Sequence, residues 1–162
     1  MNLWNNFAGK ILLTFLLSMT PILELRGAIP VGVAHGLDFR IAIPIAICGN
    51  LLPIPFIIIF VRKIFALMRK TDPRLDALVT KLETRANLKS DVVRKYQFWG
   101  LVIFVAIPLP GTGAWTGALI AAMLDLRLRK ALPAIILGVV IAGIIISFVT
   151  YGVGSLLFSV SV

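Results

Sequence analysis

The sequence predicts an all-helical integral membrane protein, and three observations lead to this prediction. Hydrophobic residues make up 59% of the 162 residues and charged residues only 14%, whereas a soluble domain is about half apolar and about a quarter charged. Mean hydropathy is +1.01. The apolar residues fall into four blocks, 7–37, 41–61, 98–124 and 131–162, and each is long enough for a helix of about 20 residues that crosses a bilayer.

The first and third blocks are too broken to form single straight helices. The first contains Pro21, Glu24, Arg26, Gly27 and Pro30, and the third contains Pro108, Pro110, Gly111 and Gly113. Proline removes a backbone donor and clashes with the preceding helical turn. We therefore predict re-entrant helical hairpins over about 7–37 and about 97–124, each followed by a transmembrane helix, at 41–61 and at about 131–153.

Similar motifs in the two halves predict an internal repeat, with repeat one at 1–61 and repeat two at 97–162. Three matches carry the alignment: Pro21–Ala28 with Pro108–Ala114, Leu37–Arg40 with Leu124–Arg127, and Arg-x-x-x-Pro-x-x-x-x-Gly beginning at Arg40 and again at Arg129. The offset drifts from 86 through 87 to 89 residues, so the alignment requires small insertions.

A basic linker, 62–96, separates the repeats and predicts their orientation. Residues 62–95 hold ten Lys or Arg and four acidic residues, and short basic loops stay in the cytoplasm. If Arg127, Arg129 and Lys130 obey the same rule, the second hairpin returns to the side from which it enters. The repeats then run in opposite directions, as in many secondary transporters. We expect a multi-pass protein of the bacterial inner membrane with the linker in the cytoplasm.

The linker itself is predicted to contain an amphipathic helix. Asp72 followed by Pro73 is a typical helix start. Apolar residues then recur at helical spacing, at Leu75, Leu78, Val79 and Leu82, and basic residues flank them, at Arg74, Lys81 and Arg85. This pattern favours a helix on an anionic membrane surface, with docking of a protein partner as the alternative.

The break in the first hairpin supplies the first candidate site, Glu24, Arg26 and Gly27. An ionisable residue inside an apolar block is costly and is therefore a functional hypothesis by default. In the functional interpretation Glu24 carries a proton and Arg26 holds an anionic head group. The alternative is a purely structural ion pair that fastens the hairpin tips.

The break in the second hairpin supplies the other half of the site. Its candidate residues are Pro110, Gly111, Thr112, Gly113, Trp115 and Thr116. Backbone N–H groups released by two glycines at a helix start suit phosphate or carboxylate, although the glycines are also what a tight turn needs. Because polar tips are costly in lipid, we expect both tips to converge on one water-accessible cavity, with Glu24 and Gly111 lining the same pocket.

Other motifs receive structural interpretations. The G-x-x-x-G pairs Gly32/Gly36 and Gly113/Gly117 predict close helix packing, and the single cysteine, Cys48, is interpreted as a buried structural thiol. The sequence shows no Ser/His/Asp set, Walker loop or ligand-spaced His/Cys cluster. We therefore expect no enzyme activity, cofactor, metal site or nucleic-acid partner.

Two segments also carry a family resemblance. With Leu23–Pro30, Pro108–Trp115 and its length, the chain resembles the family of putative small multidrug export proteins along nearly its whole length. That family is distantly similar to the DedA superfamily, whose members pair inverted re-entrant hairpins and include proteins implicated in moving undecaprenyl phosphate and phospholipids. The resemblance implies a carboxylate at Glu24, but residues 98–124 lack the arginine that those relatives carry.

These observations give a leading function and two alternatives. The leading function is transport of an anionic lipid, either undecaprenyl-phosphate-like or a phospholipid, or of an amphiphilic metabolite, with Glu24 providing proton coupling. The alternatives are export of cationic amphiphiles with Glu24 as counter-charge, and a membrane scaffold that transports nothing. Membrane lipids are expected partners, and a homodimer is expected because one copy has few spans to shield two polar tips.

Overall fold

The computed structural model describes residues 3–89, 96, 98–109 and 112–160, and these residues are all-helical or in short turns. After a short 3-10 helix, Leu3–Asn5, the α-helices are α1 (Phe7–Ser18), α2 (Glu24–Ala34), α3 (Phe39–Leu51), α4 (Ile54–Thr71), α5 (Pro73–Lys89), α6 (Phe98–Ala106), α7 (Ala114–Met123) and α8 (Leu128–Val160). Two stretches, Phe39–Thr71 and Leu128–Thr150, could cross a membrane by length and composition. The predicted all-helical class is confirmed for the described residues.

The helices form two compact units. The first consists of Met1–Leu52 with Val139–Val162, and the second of Pro53–Gly138. The first unit therefore holds α1, α2, α3 and the C-terminal part of α8. The second holds α4 to α7 and the start of α8. These units follow packing, and their bounds differ from those of the predicted repeats because α4 packs against α7.

In the first unit, α1 and α2 form a helical hairpin that packs against α3. Two glycines make this close packing possible. A Cβ atom at Gly32 would lie 2.6 Å from the Thr14 Oγ1 atom, and a Cβ atom at Gly49 would lie 2.5 Å from the Phe15 carbonyl oxygen. Helix α1 therefore lies close to α2 at Gly32, through the Thr14 side chain, and close to α3 at Gly49, through the Phe15 backbone, as small residues allow in membrane proteins.

The interpretation of Cys48 as a buried thiol is wrong, because Cys48 is exposed. The buried face of α3 is formed by Ala42, Ala46, Gly49 and Asn50, which recur at helical spacing. Cys48 precedes this face by one position and points away from it.

The second unit contains the other helical hairpin, in which α6 packs against α7. A Cβ atom at Gly117 would lie 2.6 Å from a methyl group of Val105. Helix α6 also packs against α8, since a Cβ atom at Gly138 would lie 2.9 Å from the Val102 carbonyl oxygen. Gly138 thus does in this unit what Gly49 does in the first.

The two hairpins leave through turns with the same hydrogen bonds. The Leu37 N–H donates to the Gly32 carbonyl at 3.0 Å, and the Leu126 N–H donates to the Ala121 carbonyl at 2.9 Å. In both turns an N–H group donates to the carbonyl five residues earlier, which is the hydrogen bond that closes a helix in a Schellman motif. Gly36, with φ +79°, and Asp125, with φ +48°, occupy the same left-handed position, so the structural offset here is 89 residues.

This register corrects part of the sequence alignment. Asp38 was aligned with Asp125, but Asp38 caps α3 by accepting a hydrogen bond from the Arg40 N–H at 2.8 Å, whereas Asp125 lies in the turn before the helix. The match of Arg40, Pro44 and Gly49 with the motif that begins at Arg129 has the same offset of 89 residues as the two exit turns, and the internal repeat itself stays a prediction. The sequence alignment paired Asp38 with Asp125 because both are aspartates. By the offset of 89 residues, however, the position that corresponds to Asp38 is Arg127, two residues further on.

The glycine pairs also divide their roles. Gly32 and Gly117 pack helix against helix, as predicted. Gly36 instead provides the left-handed turn after α2, and Gly113 precedes α7 as its N-cap residue. Only one glycine of each pair therefore serves helix packing within the described hairpins.

The predicted transmembrane helix at 41–61 lies within the candidate span Phe39–Thr71, and a short turn at Leu52 and Pro53 interrupts its hydrogen bonding. Helix α3 ends at Leu51 and α4 begins at Ile54, with Pro53 as its N-cap residue. Proline lacks the N–H that would continue the helical ladder, which explains the division at this point. The last helix begins at Leu128, three residues before the predicted start at 131.

The linker helix begins where the sequence places it. The Asp72 side chain accepts a hydrogen bond from the Arg74 N–H at 2.7 Å, and α5 starts at Pro73. Its apolar stripe is partly used inside the second unit, since α5 packs against α4 and α7 and Val79 is fully buried. Leu78, at 46% exposed, remains available for a membrane surface.

Close packing at Gly49 predicts a stability difference between two glycine substitutions. Gly49→Ala should destabilise the protein by about 1–3 kcal/mol, because the new methyl group meets a backbone oxygen that cannot move aside. The matched control is Gly152→Ala, where no atom lies within 4 Å of the added Cβ and better helix propensity should leave stability equal or slightly higher. Thermal unfolding in detergent measures both, and equal melting temperatures would contradict the proposed packing.

Candidate functional site

The first unit contains a polar interior, which we define as Thr14, Ser18, Glu24 and Asn50. These are the buried polar or charged side chains among the described residues, and all four lie in the first unit. Burying polar groups is costly unless they are hydrogen-bonded. Their concentration in one unit makes the first unit the candidate functional site.

Helix α1 contributes the two hydroxyl groups of the polar interior. Thr14 and Ser18 are four residues apart and share one face of α1. The Thr14 hydroxyl donates to the Lys10 carbonyl at 2.8 Å, and the Ser18 hydroxyl donates to the Phe15 carbonyl at 2.7 Å. Both donors are satisfied within their own helix, and their oxygens remain as acceptors facing the glycines of α2 and α3.

Glu24 is the first residue of α2 and follows directly on the tip of the first hairpin. Its side chain is 6% exposed, and its φ of +49° lies in the left-handed region. A residue with a Cβ atom pays about 1–2 kcal/mol for this conformation, and such strain concentrates at functional sites. The tip holds Glu24 there through a hydrogen bond from the Glu24 N–H to the Thr20 carbonyl at 3.0 Å.

The other predicted residues of the first tip lie close to Glu24 along α2. Arg26 is half-buried and interacts electrostatically with Glu24. Gly27 is also half-buried, and a Cβ atom there would lie 2.9 Å from the Leu23 side chain, so its lack of a side chain serves packing. The electrostatic interaction is compatible with both earlier interpretations, a structural pair and a transport site.

Asn50 was missed by sequence reasoning. It is fully buried on α3, and neither its Oδ1 nor its Nδ2 atom has a hydrogen-bond partner among the residues that the structure describes. An unsatisfied buried amide costs about 1–3 kcal/mol. The only signal in the sequence was an amide inside an apolar block, and its burial became visible only with the packing of the neighbouring Gly49 on α1.

At the second tip, the described residues are held by a threonine hydroxyl. Thr112 Oγ1 lies 2.7 Å from the Ile107 carbonyl oxygen and 2.9 Å from that of Leu109, and it accepts a hydrogen bond from the Leu109 N–H at 3.3 Å. This hydroxyl therefore closes the turn. A substrate contact by Thr112 would have to compete with these bonds.

The remaining residues of the second tip are only partly described. Gly113 is buried, and Trp115 and Thr116 are half-buried on the first turn of α7. Pro110 and Gly111 lie outside the described residues. The predicted pocket shared by Glu24 and Gly111 therefore stays a prediction.

The corresponding positions of the second hairpin are apolar. The Gly49 contact on Phe15 and Ser18 matches the Gly138 contact on Val102 and Val105, so Val105 is the counterpart of Ser18. By the offset of 89 residues, the counterpart of Asn50 is Val139, which is fully buried. The same backbone packing is thus achieved without polar groups, and the fold does not require them.

The described residues contain no group of three or more His, Cys, Asp or Glu side chains that could hold a metal ion. The polar interior instead offers one carboxylate, one amide and two hydroxyl oxygens. These groups can bind a proton, a cation or a hydrogen-bonding substrate, and the apolar helices around them suit the apolar part of an amphiphile.

Comparison with known proteins identifies the family. A family model described as "Putative small multi-drug export protein" matches residues 24–145, which begins at Glu24 and covers most of the chain. No curated protein and no solved structure matches the chain significantly, and the relation to the DedA superfamily stays a prediction. The chain belongs to the family of putative small multi-drug export proteins.

Proposed function

We propose that the protein is a membrane transporter that exports cationic amphiphilic molecules, with Glu24 as the ionisable group of its transport site. The single observation that carries this proposal is the state of Glu24. It is the buried charged side chain among the described residues, and it is held in a left-handed conformation at a hairpin tip. A carboxylate in such a place has a cost that a purely structural role can avoid.

The chemistry follows from the need to compensate this charge. A buried carboxylate requires a proton or a positive partner. Arg26 interacts electrostatically with Glu24, and a proton or a cationic substrate can take the place of Arg26 at the carboxylate. Because the last two compete for one carboxylate, binding of one releases the other, and this competition couples export of the substrate to entry of a proton.

The family description supports the choice of substrate class, since it refers to multi-drug export. The geometry supports it as well, because the buried charge is negative and lies among apolar helices. A cationic amphiphile offers a positive charge to Glu24 and an apolar body to the surrounding helices. The Asn50 amide provides a further donor and acceptor for polar atoms of the substrate.

A second candidate is transport of an anionic lipid, and Arg26 is the observation that favours it. Arg26 is half-buried two residues from Glu24, and a guanidinium is well suited to a phosphate group. In this alternative Arg26 binds the head group, and Glu24 tunes its charge. The two candidates assign the substrate to side chains of opposite charge, which makes them separable by mutation.

The proposed topology is an inverted repeat with two re-entrant hairpins in the bacterial inner membrane. Support for the second hairpin comes from Arg62, the first basic residue of the linker, whose guanidinium donates to the Leu126 carbonyl and lies 3.6 Å from the Asp125 carboxylate. The exit turn of that hairpin thus lies beside the start of the linker. Basic charge favours the cytoplasm for both, and a homodimer would shield the polar tips.

The central role of Glu24 predicts loss of transport in Glu24→Gln. Glutamine keeps the size but cannot carry charge, and loss of a charged interaction worth about 1.5–3 kcal/mol lowers transport about tenfold or more. The transport rate is measured as uptake of tetraphenylphosphonium, under a pH gradient, into proteoliposomes in which the protein is oriented inside out. The matched control, Asp76→Asn, removes an exposed carboxylate that pairs with Arg69, and should leave transport unchanged. Normal transport by folded Glu24→Gln would exclude Glu24 from the transport site and overturn the proposal.

Arg26→Gln separates the two substrate classes. For cationic amphiphiles, removal of the competing guanidinium should leave binding equal or tighter. For anionic lipid transport, the same change should weaken binding of the head group. Binding of tetraphenylphosphonium and of phosphatidylglycerol to the purified variant measures both. Weaker lipid binding would favour the second candidate, and tighter cation binding with unchanged lipid binding would favour the first.

Asn50 predicts a trade-off between stability and transport. Asn50→Val introduces the residue found at the corresponding position of the second half, and should stabilise the protein by about 1–3 kcal/mol because the unsatisfied amide is removed. If the amide serves the substrate, transport should fall at the same time. A stabilised variant with full transport would exclude Asn50 from the site.

The proposed topology predicts which positions share a side of the membrane. In a Cys48→Ala background, cysteines at Lys81 and Arg127 should react with an impermeant maleimide from the cytoplasmic face. A cysteine at Asp38 should react only from the opposite face. Labelling of Lys81 and Arg127 from different faces would refute the re-entrant second hairpin.

A further inference from the structure

The second unit contains a cavity of about 260 Å³ where α6 begins and α8 begins. Its apolar walls include Phe98, Leu101 and Ala131, and its charged residues are Asp125, Arg127 and Lys130. We propose that this cavity binds the phosphate group of an anionic amphiphile, which in the membrane is the head group of an anionic phospholipid. This site is separate from the residues of the transport proposal and does not depend on it.

The charges around the cavity favour an anion. The Asp125 carboxylate is 3.6 Å from the Arg62 guanidinium, so its charge is compensated by a residue of α4. Arg127 and Lys130 are both exposed and leave two positive charges at the cavity. A phosphate group fits between such cations because it accepts several charge-assisted hydrogen bonds.

The start of α8 provides a second reason to expect an anion at this cavity. In the first half, Asp38 precedes α3 and its carboxylate accepts the Arg40 N–H. The corresponding residue before α8 is Arg127, and its carbonyl accepts the N–H groups of Lys130 and Ala131 as the Asp38 carbonyl accepts those of Ile41 and Ala42. An arginine side chain cannot accept hydrogen bonds, so α8 lacks the carboxylate cap that α3 has.

The first turn of α8 is also charged in the unfavourable sense. It contains Arg129 and Lys130, it is immediately preceded by Arg127, and it has no acidic residue. Cations destabilise the positive end of a helix dipole, whereas an anion stabilises it. Binding of a phosphate between Arg127 and Lys130 would relieve the repulsion between the two cations that line the cavity.

The size and walls of the cavity favour a lipid head group. Pockets for whole small ligands begin at about 300 Å³, so a cavity of about 260 Å³ accommodates a head group and leaves the acyl chains outside. Leu101 and Ala131 are buried in its wall and can contact the glycerol and first methylene groups. The charged residues lie at the end of apolar helices, where an interfacial phosphate would be found.

The experiment measures binding to the purified full-length protein in detergent. Phosphatidylglycerol, phosphatidylcholine and inorganic phosphate are added separately, and native mass spectrometry and thermal unfolding report binding. We expect phosphatidylglycerol to bind most tightly. Arg127→Gln and Lys130→Gln should each weaken it about fivefold, because each variant removes one charge-assisted hydrogen bond to the phosphate inside the cavity.

The matched control is Arg129→Gln, which removes the same charge from the same helical turn but from a side chain that does not line the cavity. It should bind phosphatidylglycerol as the unchanged protein does. Binding of phosphatidylglycerol alone identifies the lipid as the source of the phosphate. Binding of inorganic phosphate that is also lost in Arg127→Gln supports the site with a free anion as its ligand.

Two results would overturn the proposal. One is an equal loss of binding in Arg129→Gln, which would mean that general positive charge and not the cavity attracts the lipid. The other is unchanged phosphatidylglycerol binding in the double variant Arg127→Gln with Lys130→Gln, provided that it melts at the same temperature as the unchanged protein.

Discussion

Hydrocarbon offers no hydrogen bonds to polar groups, and the rest of this structure depends on that constraint. A helix interrupted within an apolar block must satisfy the backbone groups that the interruption frees. Both hairpin tips do so with a threonine. The Thr20 hydroxyl donates to the Leu17 carbonyl and accepts the Leu23 N–H, and the Thr112 hydroxyl bonds carbonyl and N–H groups across its own tip. A short side chain thus replaces water at each break.

The two halves share the same backbone arrangement but bury different side chains. This difference shows which residues the fold requires and which it does not. Each half has a hairpin, a left-handed exit turn and a helix that approaches the first arm at a glycine. Ser18 and Asn50 in one half correspond to Val105 and Val139 in the other. Since the apolar half packs equally closely, the polar residues are additions to the fold, and their energetic cost requires a functional explanation.

The residues with positive φ also occupy corresponding positions in the two halves but differ in residue type. Glu24 and Gly113 stand 89 residues apart at the starts of α2 and α7, and Gly36 and Asp125 stand 89 residues apart in the exit turns. Gly36 and Asp125 share a left-handed conformation, which is easy for glycine and costly for aspartate. Glu24 is also left-handed, whereas Gly113, with φ 158° and ψ −172°, is nearly extended. Glu24 is buried and Asp125 is 91% exposed with Arg62 beside it. The two acidic residues with positive φ therefore lie at different sites. Glu24 belongs to the polar interior, and Asp125 lies at the cavity that Arg127 and Lys130 line.

The sequence alone determined the properties that depend on local composition and spacing. Apolar block length predicted the helices, proline predicted the hairpin breaks, and Asp72 before Pro73 predicted the start of α5, because each is a property of neighbouring residues. It also identified Glu24, since a charge in an apolar block is visible without a structure. The tertiary structure decided which residues are brought together: the burial of Asn50, the exposure of Cys48, the packing of Val79 and the register that pairs Gly36 with Asp125. Burial depends on which face of each helix meets a neighbour, and that choice is made by close contacts between residues far apart in the chain.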